Sequence, residues 1–164
     1  MSRPHKDRGN PDVEAFMSRL LEGAYEIDHN HQYAKELEDA LDTYRKDKIV
    51  SIVPTERIGD FVKDTISTAM VNGAIKIRKE YFTNLARQIK DNSDDKKITE
   101  LDIDDHTQGV DSRTKQIVKD FWKSFKDESM ERIAEELLEV ARKYGPTVIS
   151  VIISVFTSST AKGS

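Results

Sequence analysis

Two short stretches of this chain carry side chains that could bind a metal ion. Residues 91–102 place oxygen-bearing side chains at several ligand positions of a calcium-binding EF-hand loop. However, Lys96 stands where such a loop needs its turn glycine, and Asp102 stands where it needs a bidentate glutamate. We therefore predict a solvated acidic segment here rather than a calcium site.

The second metal-like stretch is the cluster Glu26, Asp28, His29 and His31, which has a histidine spacing found in metal sites. No third histidine lies nearby in the sequence, and the cluster falls in an apparent turn between helices, where such residues commonly cap helix ends. We also find no glycine-rich phosphate loop and no nucleophile motif. The sequence therefore predicts no catalytic residue, no metal and no cofactor, and it favours a protein that is not an enzyme.

A third stretch, residues 113–126, combines positive charge with aromatic rings. Its lysines recur every three or four residues and so share one face of a helix, while its aromatic side chains crowd another face. Basic helices with bulky aromatics bind acidic grooves of partner proteins or anionic membranes. The alternative is that the rings belong to the core and the lysines are solvated. The predicted partner-binding residues are Lys115, Lys119, Phe121, Trp122, Lys123, Phe125 and Lys126.

Composition narrows the class of protein. The 164 residues fit one domain, and 26 basic against 30 acidic residues give a net charge of −4. Such a balance gives no overall attraction for nucleic acid. The absence of cysteine excludes disulfides, thiolate catalysis and cysteine-based zinc sites. Because the N-terminus is also polar, without an apolar signal core, we predict a cytoplasmic location.

The elements that position these residues are predicted to be helices. Apolar side chains recur with the period of an α-helix along most of the chain, and no internal repeat is evident. Gly73 is predicted to mark either a kink in a long helix or a close crossing of another helix, and residues 91–110 are predicted to form an acidic loop. The predicted helices span about residues 11–27, 31–48, 55–90, 113–126 and 129–144.

The end of the chain carries an uncharged run, residues 147–157. It is too short to cross a bilayer, which takes about 20 residues, and it is apolar almost all round. A helix of this kind is typical of the centre of a bundle, although its β-branched residues also allow a buried strand.

Together these patterns predict an all-α, single-domain bundle of five or six amphipathic helices, with an apolar C-terminal helix in or near the core. Residues 1–10 are predicted to be a disordered basic arm, residues 11–158 the bundle, and residues 159–164 a flexible tail.

The function favoured by the sequence is that of a non-enzymatic protein-interaction protein, acting as an adaptor, regulatory or accessory subunit for a protein partner. One alternative is a membrane-associated or membrane-active bundle that uses the apolar C-terminal helix. A third reading is a helical nucleic-acid binder that uses a basic stripe on the long helix. A homo-oligomer is compatible with each. The basic stripe consists of Lys76, Lys79, Arg87 and Lys90.

Overall fold

The computed structural model describes residues 9–50, 56–125 and 127–157, except for the side chains at positions 50, 95 and 96. Within these residues the chain forms eight helices and two short strands, so the all-α class is confirmed and the predicted count of five or six helices is wrong. The elements are α1 (Pro11–Glu22), β1 (Tyr25–Ile27), α2 (Ala34–Val50), α3 (Glu56–Asn72), β2 (Ile75–Ile77), α4 (Lys79–Lys96), α5 (Glu100–His106), α6 (Ser112–Phe125), α7 (Met130–Tyr144) and α8 (Pro146–Phe156).

The chain divides into two compact units between Arg78 and Lys79. Unit 1 contains α1 to α3 and both strands, and unit 2 contains α4 to α8. The predicted arm and tail, apart from Gly9 and Asn10, lie outside the described residues, as do residues 51–55 and Lys126.

Two glycines account for part of the difference in helix count. Gly23 ends α1 with a φ of 95°, and Gly73 follows α3 with a φ of 88°. A left-handed residue stops an α-helix, and glycine adopts this conformation without the steric penalty that a Cβ brings. The predictions of a helix continuing to residue 27 and of one kinked helix over residues 55–90 are therefore wrong.

The same turn occurs twice in unit 1. After each glycine comes a buried alanine, whose backbone N–H donates to a carbonyl in the last turn of the preceding helix, over 2.9 Å in both cases. A three-residue strand follows each alanine, and the two strands pair antiparallel, with Glu26 opposite Lys76. The two copies share the pattern Gly-Ala-x-x-Ile, which ends at Ile27 and Ile77.

Hydrogen bonds join the first two helices of unit 1. Asn10 caps α1 by accepting from the N–H groups of the first turn, and its own N–H donates to the Tyr44 hydroxyl over 2.7 Å. That hydroxyl donates to Glu14, which also accepts from Lys48. Burial raises the pKa of Glu14, but the hydrogen bonds from Lys48 and Tyr44 outweigh it and leave the pKa below its usual value. The α3 helix approaches this cap closely, because a Cβ on Gly59 would lie 2.9 Å from the Asn10 Cβ.

Unit 2 is organised around α8, which packs against all four other helices of the unit. The Phe156 ring packs against the rings of Phe121 and Phe125 at centroid distances of 5.9 and 5.3 Å. The Asn92 side-chain amide donates a hydrogen bond to the backbone carbonyl of Phe156. The uncharged run at the end of the chain is thus a core helix. Among the described residues, no helix is both long enough and apolar enough to cross a bilayer. The buried side chains of α8 are Val148, Ile149, Ile152, Val155 and Phe156.

The predicted acidic loop at 91–110 is mostly helical. Residues 91–96 continue α4, and Thr99 begins α5 with a capping box, in which Thr99 and Asp102 satisfy each other's backbone N–H groups. Acidic side chains in the first turn of a helix also interact favourably with its dipole. The prediction of a loop is therefore wrong, and a helical backbone at 91–96 is not that of an EF-hand loop.

Candidate functional site

The basic helix α6 is attached to the acidic helix α5 by an ion pair. The Lys119 ammonium lies 2.8 Å from Asp104 and 3.6 Å from Glu100, and only 18% of its side chain is exposed. The hydrogen bond between Lys119 and Asp104 lowers the pKa of the Asp104 carboxyl and raises the pKa of the Lys119 ammonium. Lys119 thus has an intramolecular role, and its predicted contact with a partner is not available while this pair persists.

The other predicted lysines are in different environments. Lys115 is partly buried near Asp104, where its charge also lowers the pKa of that carboxyl. Lys123 is exposed to solvent, and Lys126 lies outside the described residues. The described lysines therefore do not act as one equivalent basic face.

The predicted aromatic residues also differ in how far they are exposed to solvent. Phe121 and Phe125 are 4% and 2% exposed and pack against Phe156, whereas Trp122 is partly exposed. Both phenylalanines are therefore core residues, and of the two only Phe125 also lines the pocket that Trp122 lines. Trp122 is the only tryptophan of the chain.

Trp122 lines a small pocket with residues from the end of α4. The pocket has a volume of about 200 Å³ and belongs entirely to unit 2. On α4, Lys90 donates a hydrogen bond of 3.4 Å to the Glu128 carbonyl. We call this feature the Trp122 pocket; its lining residues are Lys90, Ser93, Asp94, Lys97, Ile98, Trp122 and Phe125.

Ser93 contributes a polar group that its surroundings do not satisfy. Its Oγ atom is buried and forms no hydrogen bond within the described part of the chain. Such hydroxyls are rare in native proteins, because they normally bond to another protein group or to water. A change of the Ser93 rotamer would turn the hydroxyl toward the pocket, where it could donate to an acceptor atom of a ligand.

Lys97 has an unusual backbone conformation for a residue with a side chain. Its φ is 52°, and among the described residues every other positive φ belongs to a glycine. Its N–H donates to the Ser93 carbonyl over 2.8 Å, which closes the end of α4. Because glycine adopts this conformation at lower cost, a lysine here is a local exception of the kind that clusters at functional sites.

The lining of the Trp122 pocket combines two chemistries. Lysine ammonium groups and a hydroxyl attract an anion, and the rings of Trp122 and Phe125 with Ile98 offer an apolar wall. No described lining residue is a nucleophile activated by a base. The volume is below the roughly 300–1,000 Å³ of typical small-molecule sites, so it suits one side chain better than a cofactor.

The metal-like cluster of unit 1 has other partners. His29 lies 3.1 Å from Glu38, and Asp28 lies 3.8 Å from Lys76. His31 contacts the Asn72 carbonyl with Nε2, at 2.9 Å, and accepts the Tyr33 N–H with Nδ1, so it links the β1–α2 turn to the end of α3. In the ranges that the structure describes, no three histidine, aspartate or glutamate side chains come together as metal ligands.

The basic stripe is not one helix face. Lys76 lies on β2 in unit 1, opposite Glu26, whereas Lys79, Arg87 and Lys90 lie on α4 in unit 2. The glycine at position 73 is the reason, because it ends the helix on which the stripe was predicted.

Sequence reasoning missed the α4 side of the Trp122 pocket. Lys90, Ser93 and Lys97 follow one another at three- and four-residue spacing, which places them on one helix face, and this was the available signal. The left-handed conformation of Lys97 has no signature in the sequence, since glycine is the residue that normally marks it.

Comparison with known protein families, with curated proteins and with solved structures gives no match. The geometry of the Trp122 pocket is therefore the basis on which a function can be proposed.

Proposed function

We propose that this chain is a non-enzymatic protein-interaction protein, which binds an acidic and partly apolar segment of a partner at the Trp122 pocket. The observation that supports it most is the coincidence, in one small pocket, of an unsatisfied buried hydroxyl, a strained lysine and a partly exposed tryptophan. Tryptophan is enriched among the residues that dominate binding energy at protein interfaces.

Charge favours an acidic partner. Among the described lining residues, Lys90 and Lys97 are positively charged and Asp94 is negatively charged, in a chain whose net charge is −4. A positive patch attracts negatively charged segments to one place, while the rest of an acidic protein surface repels them.

The burial of α8 supports this proposal over the membrane alternative. Phe156 is fully buried against Phe121 and Phe125, so presenting α8 to a bilayer would expose the centre of unit 2. The side chains left behind, such as Phe121 and Phe125, would then meet water, at about 1.5–3 kcal/mol for each large apolar side chain fully exposed.

A library of random peptides displayed with free C-termini, selected on the immobilised full chain, tests the proposal. We expect enriched peptides to combine a carboxylate, whether from aspartate, from glutamate or from the C-terminus, with a large apolar residue, and to change the fluorescence of Trp122 when they bind. Their affinity should fall about tenfold or more in Lys97→Glu, which reverses a charge in the pocket.

The matched control is Lys123→Glu, which makes the same charge change on an exposed lysine outside the pocket lining. We expect the control to weaken binding by only about two- to threefold, as a long-range electrostatic effect. Equal losses in both variants, or a library with no enrichment, would overturn the proposal. Tight binding of phosphatidylserine vesicles by a protein that enriches no peptide would overturn the proposal in favour of the membrane alternative.

A further inference from the structure

We infer that the Trp122 pocket recognises the C-terminal residue of a partner chain, taking its free carboxylate together with a large apolar side chain. This inference rests on the proposed function and names the part of the partner that enters the pocket. It is drawn from the size of the pocket and from the arrangement of its polar and apolar lining.

The pocket offers room for one residue. A volume of about 200 Å³ corresponds to roughly six or seven water molecules at about 30 Å³ each. An internal segment can place one side chain in such a space. A chain that ends there can place both the side chain and the terminal carboxylate of its last residue.

The residues that line the pocket can bind both an anion and an apolar group within that space. Lys90 and Lys97 supply positive charge, and Ser93 lines the same pocket with a hydroxyl that has no hydrogen-bond partner among the described residues. Trp122 and Phe125 supply the apolar wall. A C-terminal residue with a large apolar side chain carries the carboxylate and the apolar group on the same Cα, whereas an internal segment has to take them from two residues.

A carboxylate also suits the donors that the pocket presents. It accepts at two oxygen atoms, with about four lone-pair sites, and hydrogen bonds to charged groups are roughly twice as strong as neutral ones. Asp94 opposes such a ligand, since it also lines the pocket. Asp94 and Lys97 are both exposed, so water screens both charges, and the partly buried Lys90 tips the balance toward an anion.

The test compares four acetylated peptides by the fluorescence of Trp122 in the full chain. The first is Gly-Ser-Gly-Ser-Phe with a free terminal carboxylate, and the second is the same peptide with a terminal amide. The third extends the first by Gly-Gly, which moves the carboxylate away from the ring. The fourth places glutamate beside an internal phenylalanine and ends in an amide.

We expect the first peptide to bind about 10- to 100-fold more tightly than the second and third, because they lack the charged acceptor beside the ring. Asp94→Asn should strengthen binding of the first peptide and leave the second unchanged, since only the free acid is repelled by Asp94.

Equal affinity of the first and second peptides would overturn the inference. Binding of the fourth peptide as tight as that of the first would also overturn it, while leaving the proposed function intact. If none of the four binds and the displayed library shows no enrichment either, the proposed function fails as well.

Discussion

The two units of this protein treat backbone exceptions differently. Among the described residues of unit 1 the left-handed positions are both glycines, Gly23 and Gly73, and each begins a copy of the same turn into a strand. Unit 2 also has glycines with positive φ, Gly109 and Gly145, but at the end of α4 a lysine, Lys97, has a φ of 52°. A glycine in this role is fully explained by the backbone, but a lysine is not.

Each unit also has a buried hydroxyl group without a hydrogen-bond partner among the described residues, and the surroundings of these two hydroxyls differ. The Tyr25 hydroxyl of unit 1 is buried in the core beside Phe16 and lacks a hydrogen-bond partner among the described residues, and this burial raises the pKa of Tyr25. The Ser93 hydroxyl of unit 2 is also buried without one, but it lines a pocket with charged neighbours. The comparison teaches that an exception points to function where a ligand could relieve it.

The largest expected effect comes from the two buried phenylalanines, Phe16 of unit 1 and Phe156 of unit 2, both fully buried. Each substitution by alanine should cost about 3–5 kcal/mol of stability, through lost burial and the cavity left behind. Phe156→Ala should lower the temperature at which Trp122 fluorescence reports unfolding by more than Phe16→Ala does, because Trp122 belongs to unit 2. Equal decreases of this unfolding temperature in the two variants would contradict the division of the chain into two units.

A smaller effect tests whether the two turns of unit 1 are equivalent. Gly23→Ala and Gly73→Ala introduce a Cβ at φ values of 95° and 88°, with no atom within 4 Å of it in either case. The cost is therefore one of backbone conformation alone, about 1–2 kcal/mol for each variant. Chemical denaturation measures both, and a difference larger than the cost itself would show that the two turns are not alike.

The sequence predicted the class of the fold and the role of its last helix better than the helix boundaries. The apolar periodicity of residues 129–144 and the uncharged run after it identify α7 and α8, because burial decides both. The break at Gly73 was read as a kink, since a single glycine within an apolar stripe is compatible with either result.

The candidate site could be predicted only in part. Trp122 was found from its place among lysines on α6, but Phe121 points into the core, because the helix face that packs on α8 is set by tertiary contacts. Ser93 and Lys97 were missed, since neither an orphaned hydroxyl nor a left-handed lysine can be recognised before the chain is folded.

The smallest expected effect concerns the ion pair that attaches α5 to α6. A hydrogen bond from Lys119 lowers the pKa of Asp104 in the folded protein, so the pair stabilises the fold above the unfolded pKa of about 3.9. That stability should be lost as the pH falls through the lower folded value. Asp104→Asn should therefore be less stable than the wild type at pH 7, and equally stable in strong acid.

The control for this pH profile is Asp105→Asn, which removes the same charge from an exposed neighbour. Denaturant midpoints measured between pH 7 and strong acid should show no pH-dependent loss for the control. If both variants follow the same profile, the pair contributes only through net charge.

The most direct test of the central claim is Lys97→Gly, measured both by thermal unfolding and by binding of the enriched peptides. Glycine suits a φ of 52° better than lysine, so we predict a melting temperature equal to or higher than that of the wild type. The same variant removes the ammonium group from the Trp122 pocket, so we predict that affinity falls about tenfold. A Lys97→Gly protein that binds the peptides as tightly as the wild type would contradict the account.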